Sequence, residues 1–226
     1  MGVGHLGRAR FLAAAAVAVS MGAGSVLATP LPAQLNDFES GTTQGWTNGG
    51  GASDPSNVTT GGPGGANDNF LRITARGGSG AGSRLTSFNR ASQWIGNYVS
   101  AGVTSVEMDL KNLGTTPLVM RIGLQETAGT RFSSTTPFNL PADGLWHHAA
   151  FPINATSLTR TGSTPVATAL TRINELRIMH SVSADFMGDP IASSVGVDNI
   201  RAVPEPATVG LLVMAGCGLM ARRRRR

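Results

Sequence analysis

Cysteine is almost absent from this 226-residue chain. The single one, Cys217, lies in an apolar run near the C-terminus, so the rest of the chain has no disulfide, no cysteine nucleophile and no cysteine zinc cluster. Helical periodicity is missing between residues 29 and 203, which excludes a helix bundle. Neither glycine-rich stretch, residues 61–65 or 77–82, leads through Gly-Lys-Ser/Thr into a helix, so neither is a phosphate loop. Repeats of solenoid length are also missing. Excess positive charge is confined to the ends: the formal +5 comes from Arg8, Arg10 and the five arginines 222–226, leaving eleven basic and twelve acidic residues in 29–203. A near-neutral middle section removes the main support for a nucleic-acid partner.

Both ends carry apolar runs. Arg8 and Arg10 precede the uninterrupted apolar residues 11–19, and small residues follow as far as Val26-Leu27-Ala28. This is the three-part layout of a secretory signal peptide, expected over residues 1–28. At the other end, residues 207–221 hold no charge. As a helix they would reach about 22 Å, short of the roughly 30 Å hydrocarbon core of a bilayer, so a span there is marginal. The five arginines stay cytoplasmic by the positive-inside rule, which places everything upstream across the membrane. Cys217 within this run reads either as a small helix residue or as a lipidation site.

Pro204-Glu205-Pro206, then an apolar helix containing Gly210, Gly216 and Gly218, then a terminal arginine cluster, together resemble the PEP-CTERM sorting signal. The resemblance covers residues 204–226. It implies recognition by a membrane-embedded exosortase, processing near Pro204, Glu205 and Pro206, and passage through the inner membrane. It also implies delivery to the cell surface or extracellular matrix of a Gram-negative bacterium that makes exopolysaccharide.

For residues 29–203 the expected fold class is all-β, a two-sheet β-sandwich or jelly roll, flanked by the signal peptide and the apolar sorting helix. Short apolar segments are punctuated by Gly, Pro, Ser, Thr and Asn. Leu71, Ile73 and Ala75 alternate with Arg72, Thr74 and Arg76. Val106, Met108 and Leu110 alternate with Glu107, Asp109 and Lys111. After Asn112-Leu113-Gly114 the alternation resumes at Leu118, Met120, Ile122 and Leu124, which predicts a hairpin. Further strands are expected over 146–153, 173–180 and 195–201.

Asn36-Asp37-Phe38-Glu39-Ser40-Gly41 with Gly45-Trp46, and Val195-Gly196-Val197-Asp198-Asn199-Ile200, resemble the first and last strands of galactose-binding-like jelly rolls, the fold of many carbohydrate-binding modules. The resemblance implies a structural calcium held between those strands. Glu39 and Asp198 would supply charge, with Asp68 and carbonyls of the glycine-rich loop completing an oxygen shell of six to eight ligands. A sugar face needs an exposed aromatic ring. Trp46 and Trp146 sit in strand-like alternation and are expected in the core, whereas Trp94 and Tyr98, in the irregular segment 91–100, are the expected platform. Glu107 and Asp109 share a strand face but read as solvated carboxylates rather than a hydrolytic pair. His147-His148 alternate across a strand with no partner evident from spacing. The expectation is therefore a non-enzymatic module with extracellular polysaccharide as partner, against two alternatives: a structural or adhesive matrix protein, and a secreted glycan hydrolase or lyase.

Overall fold

The computed structural model describes Met1 and residues 35–49, 54–80 and 82–205. Apart from Met1, the expected signal peptide lies outside the described residues, as does the sorting segment from Pro206 onward, including Cys217. Among the described residues no helix is long and apolar enough to cross a membrane.

The strands in chain order are β1 (Leu35–Asn36), β2 (Ser56–Val58), β3 (Phe70–Arg76), β4 (Thr86–Asn89), β5 (Val103–Asn112), β6 (Leu118–Glu126), β7 (Arg131–Ser134), β8 (Phe138–Leu140), β9 (Trp146–Pro152), β10 (Leu158–Thr161), β11 (Ile173–His180) and β12 (Ala192–Pro204). One short helix, α1 (Val166–Ala169), precedes β11. They form two antiparallel sheets. The first runs β2-β3-β12-β5-β9, with β1 added beside the far half of β12; the second runs β10-β7-β6-β11-β4, with β8 beside β6. The expected two-sheet β-sandwich is the observed fold.

Alternation explains the core. Leu71, Ile73, Val106, Met108, Leu110, Val195 and Val197 point inward from the first sheet, and Leu118, Met120, Ile122, Leu124, Leu176 and Ile178 from the second; all are buried. Each such side chain contributes about 1.5–3 kcal/mol on burial. The expected hairpin does not form: β5 belongs to the first sheet and β6 to the second, and they do not pair. Residues 113–117 carry the chain across the core instead, tied by Leu113 N–H to the Ser194 carbonyl and by Asn112 Nδ2 to the Thr116 carbonyl. Two strands facing one another across a sandwich show the same alternation as two strands side by side.

Trp94 and Tyr98 are a second correction, since both are buried (1% and 0% exposed) and offer no platform to solvent. The segment holding them closes one end of the sandwich. Gly96 bridges Ile173, Tyr98 N–H donates to the Leu170 carbonyl, and the Tyr98 hydroxyl donates to the Trp94 carbonyl, each replacing a contact with water. Burial pushes the Tyr98 phenol well above its ordinary pKa. Trp46 lies in the core as expected, its ring 6.1 Å from that of Trp94. Trp146 does not. Paired with Lys111 on the outer face of the first sheet, it packs edge-on against Phe70 at 5.4 Å. Gly196 beneath them leaves the room, because a Cβ there would meet Trp146 at 3.0 Å and Phe70 at 3.2 Å.

Candidate functional site

Two places on the sandwich gather polar side chains with chemical potential. The first is where β12 changes neighbours. β3 accompanies β12 as far as Val197 and β1 begins at Ile200; between them the register slips and Asn199 adopts φ +51°. Asp198 therefore sits at an interruption of the sheet, directly opposite Asp109 of β5 and 1% exposed. Like charges in directly opposed positions repel.

The segments 59–69 and 37–45 close over this point. Phe38 adopts φ +59°, uncommon for a residue with a side chain, and turns its carbonyl toward the Nδ2 groups of Asn57 and Asn69 at 2.7 and 3.2 Å. The Glu39 carboxylate accepts from Asn69 N–H at 2.7 Å, next in sequence to Asp68, whose carboxylate accepts from Gly64 N–H. Burial drives the Asp198 carboxyl up to about 7; the amide of Asn199 opposes this, while Asp68, Asp109 and Glu39 add to it. The residues expected from sequence to share a cation, Glu39, Asp68 and Asp198, thus face one electrostatic neighbourhood. Among the described residues none of the three is ion-paired to a basic side chain.

Whether calcium suits this corner is decided by its donors. All are hard oxygens, and the corner also holds Asn57 Oδ1, buried and without a hydrogen-bond partner. Among the described residues no three His, Cys, Asp or Glu side chains converge closely enough to hold a metal by themselves. Calcium, which accepts carbonyl and amide oxygens as readily as carboxylates, fits such a mixed all-oxygen set, whereas zinc, whose sites are built mainly on His and Cys, has neither here. Beside it, Glu107 and Asp109 are already engaged: Glu107 by Arg201 at 2.7 Å, Asp109 by His148 at 3.2 Å and by Asn199 Nδ2 at 2.8 Å. His147 pairs with Asp143 at 2.9 Å. Acidic partners thus exist for both histidines, though only tertiary structure brings His148 and Asp109 together.

The second place is the outer face of the second sheet. Residues 48–49, Ser79, Gly80, Gly82, Arg84, Thr86, Phe88, Arg177 and Met187 line a cleft of about 340 Å³. Its floor is made by outward positions of β4 and β11, where Phe88 pairs with Arg177 and Thr86 with Met179. Phe88 and Met187 give it an apolar wall, and Arg84 and Arg177 give it donors. The segment 181–191 folds over the neighbouring strand β6 and seats Phe186 on Gly123, where a Cβ would meet the ring at 2.9 Å. Sequence reasoning did not find this cleft. Arg177 and Phe88 could have been noticed as outward positions on alternating strands, but Phe186 lies in an irregular loop and carries no periodicity. Another hollow, about 430 Å³, adjoins Tyr98, Leu170 and Glu205.

Pro204 is the last residue of β12, opposite Val103, and Glu205 N–H still donates to the Gly102 carbonyl. One residue of the expected tripeptide therefore ends the strand, and the next is tied to the turn before β5.

No family model and no curated protein matches this chain. Solved structures do. A family 11 carbohydrate-binding module studied in solution is 15% identical, with 78% of this chain and 97% of that one covered at a TM-score of 0.51. The fold is shared with carbohydrate-binding modules. A family 11 module from Clostridium thermocellum, solved with a β-1,3-1,4-mixed-linked tetrasaccharide, is 13% identical over 77% of this chain and 96% of that one, TM-score 0.50. An exo-β-agarase is 16% identical over 76% of this chain, TM-score 0.53, but the match spans only 25% of the agarase.

Proposed function

We propose that this protein is an exported, non-catalytic polysaccharide-binding module that uses the cleft on the outer face of its second sheet. The observation that carries this is the cleft itself: an aromatic ring and a thioether beside guanidinium and hydroxyl donors, on rigid strands, in a fold that carbohydrate-binding modules also have. Sugars present apolar C–H faces and hydroxyl edges, and a site of mixed character suits both. The engagement of Glu107 and Asp109 by Arg201, His148 and Asn199 supports a role without catalysis. In this reading a structural calcium held by Glu39, Asp68, Asp198 and nearby backbone oxygens neutralises the crowded carboxylates and fixes the 37–45 and 59–69 segments. Extracellular polysaccharide is the partner. The tail from Pro204 routes the protein through an exosortase at the inner membrane of a Gram-negative cell to its surface or matrix.

The test is retention on immobilised polysaccharides in affinity electrophoresis. The intact protein should be slowed saturably by at least one polysaccharide, and Phe88→Ala should lose about tenfold in affinity, the order expected for one aromatic contact. Absence of retention across neutral and acidic glycans would contradict the reading.

A further inference from the structure

The cleft opens onto a row of side chains with one chemical bias. Arg90, Phe88, Arg177, Phe186 and Arg131 alternate cation and ring across the second sheet, with guanidinium-to-centroid distances of 4.8, 5.7, 4.1 and 5.2 Å in that order. Arg84 stands at the cleft rim, anchored through Nη1 to the Gly188 carbonyl. One carboxylate answers these four arginines. Glu175, fully buried, binds Arg90 and Arg177 at 2.6 Å each. The acidic side chains on the surrounding loops face backbone amides: Asp54 accepts from Asn48, Asp185 from Met187 and Asp189 from Val182.

Among the described residues Arg84 and Arg131 therefore have no carboxylate partner on this face. Burial holds the Arg177 guanidinium below its ordinary pKa, Glu175 opposes that, and the neighbouring charges of Arg131 and Arg90 add to it. Stacking on phenyl rings orients each guanidinium plane and thins its hydration, leaving N–H edges directed away from the ring. Arg84 uses Nε and Nη1 for the Ser79 and Gly188 carbonyls, and Arg90 uses Nε and Nη2 for Glu175; the remaining N–H groups of both are unspent. A planar fork with free N–H groups matches carboxylate and sulfate oxygens in a way a neutral sugar hydroxyl cannot.

We infer that the ligand of this face is an anionic polysaccharide, carrying carboxylate or sulfate groups that lie along the Arg90–Phe88–Arg177–Phe186–Arg131 row. This rests on the polysaccharide-binding reading above and narrows it. It is tested by affinity electrophoresis of the intact protein against polygalacturonate, dextran sulfate, neutral xylan and agarose, and poly-glutamate as a polyanion without sugar. The inference expects retention by polygalacturonate or dextran sulfate, at least tenfold weaker binding for Arg84→Gln, and a steep loss of retention between low and high salt. The choice between the first two glycans separates carboxylate from sulfate. A circular-dichroism melt of the Arg84→Gln protein checks that it is folded, and Arg131→Gln, at an exposed position, serves in its place if it is not. Preferential retention by xylan or agarose, insensitive to salt, overturns the inference and leaves the broader reading standing. Equal retention by poly-glutamate overturns it as plain ion exchange, and retention by none of the polymers overturns both.

Discussion

Asn36 shows how much one polar side chain can organise. Its Oδ1 accepts from Trp46 Nε1, Trp94 Nε1 and Gln93 Nε2, all at 2.9 Å, at a residue 3% exposed. Two indole N–H groups would otherwise be buried without partners, each a loss of about 1–3 kcal/mol, and the half-buried Gln93 amide would lose a partner. Asn36→Leu should therefore cost about 3 kcal/mol or more in urea unfolding, although leucine is the more apolar residue. A loss under about 0.5 kcal/mol would mean that water replaces the amide there. The same contact explains why Trp94 was misplaced from sequence: nothing near it in the chain announces that Asn36, far upstream, completes its hydrogen bonding. Glu126 is a parallel case. Burial alone would push its carboxyl up, yet the amides of Ala128 and Thr130 and the hydroxyls of Thr164 and Thr130 outweigh burial and hold it at about 2. It joins the β6–β7 turn to the segment before α1, and Arg172 closes the group at 3.0 Å.

Among the elements, β12 matters most. It lies between β3 and β5, meets β1 beyond its bulge, and places Asp198 in the gap. Local pattern carried much of this. Val195 and Val197 alternate inward, and Asp198-Asn199 breaks the run, so both the strand and the special residue could be read in advance. The grouping of Glu39, Asp68 and Asp198 came instead from the resemblance of the first and last strands to galactose-binding-like jelly rolls, since no local pattern links three residues so far apart in the chain. Sheet membership was not legible. β5 and β6 carry one alternation pattern and a turn-like connection, and only packing across the core distinguishes neighbours from opposites. If calcium occupies the corner, saturating calcium at about a hundred times its dissociation constant adds about 2.7 kcal/mol, or roughly 5–10 °C in a domain of this size. Thermal melts in calcium and in chelator should differ by that amount, and Asp198→Asn should abolish the difference. Identical midpoints for the unaltered protein would remove calcium from the account.

For the whole molecule, the two outer faces of the sandwich divide the labour. The first sheet presents Glu107, Asp109, His148 and Arg201 to one another, with the unpaired carboxylates of Glu39, Asp68 and Asp198 beside them. The second sheet presents Arg84 and Arg131, which no carboxylate pairs among the described residues, around an open cleft. That arrangement was invisible in composition, because Arg84, Arg90, Arg131 and Arg177 are spread over nearly a hundred residues. It also reverses the expectation about aromatics: the tryptophans expected at the surface or in the core are structural or packed on the first sheet, and phenylalanines line the candidate site. The most direct test is to titrate isotope-labelled protein with an oligosaccharide cut from the polysaccharide that retains it, following backbone amide shifts by NMR. Shifts should concentrate at Thr86, Phe88, Gly123, Arg177 and Met187. Shifts concentrated instead at Lys111, Trp146 and His148 would place the ligand on the first sheet and contradict the account.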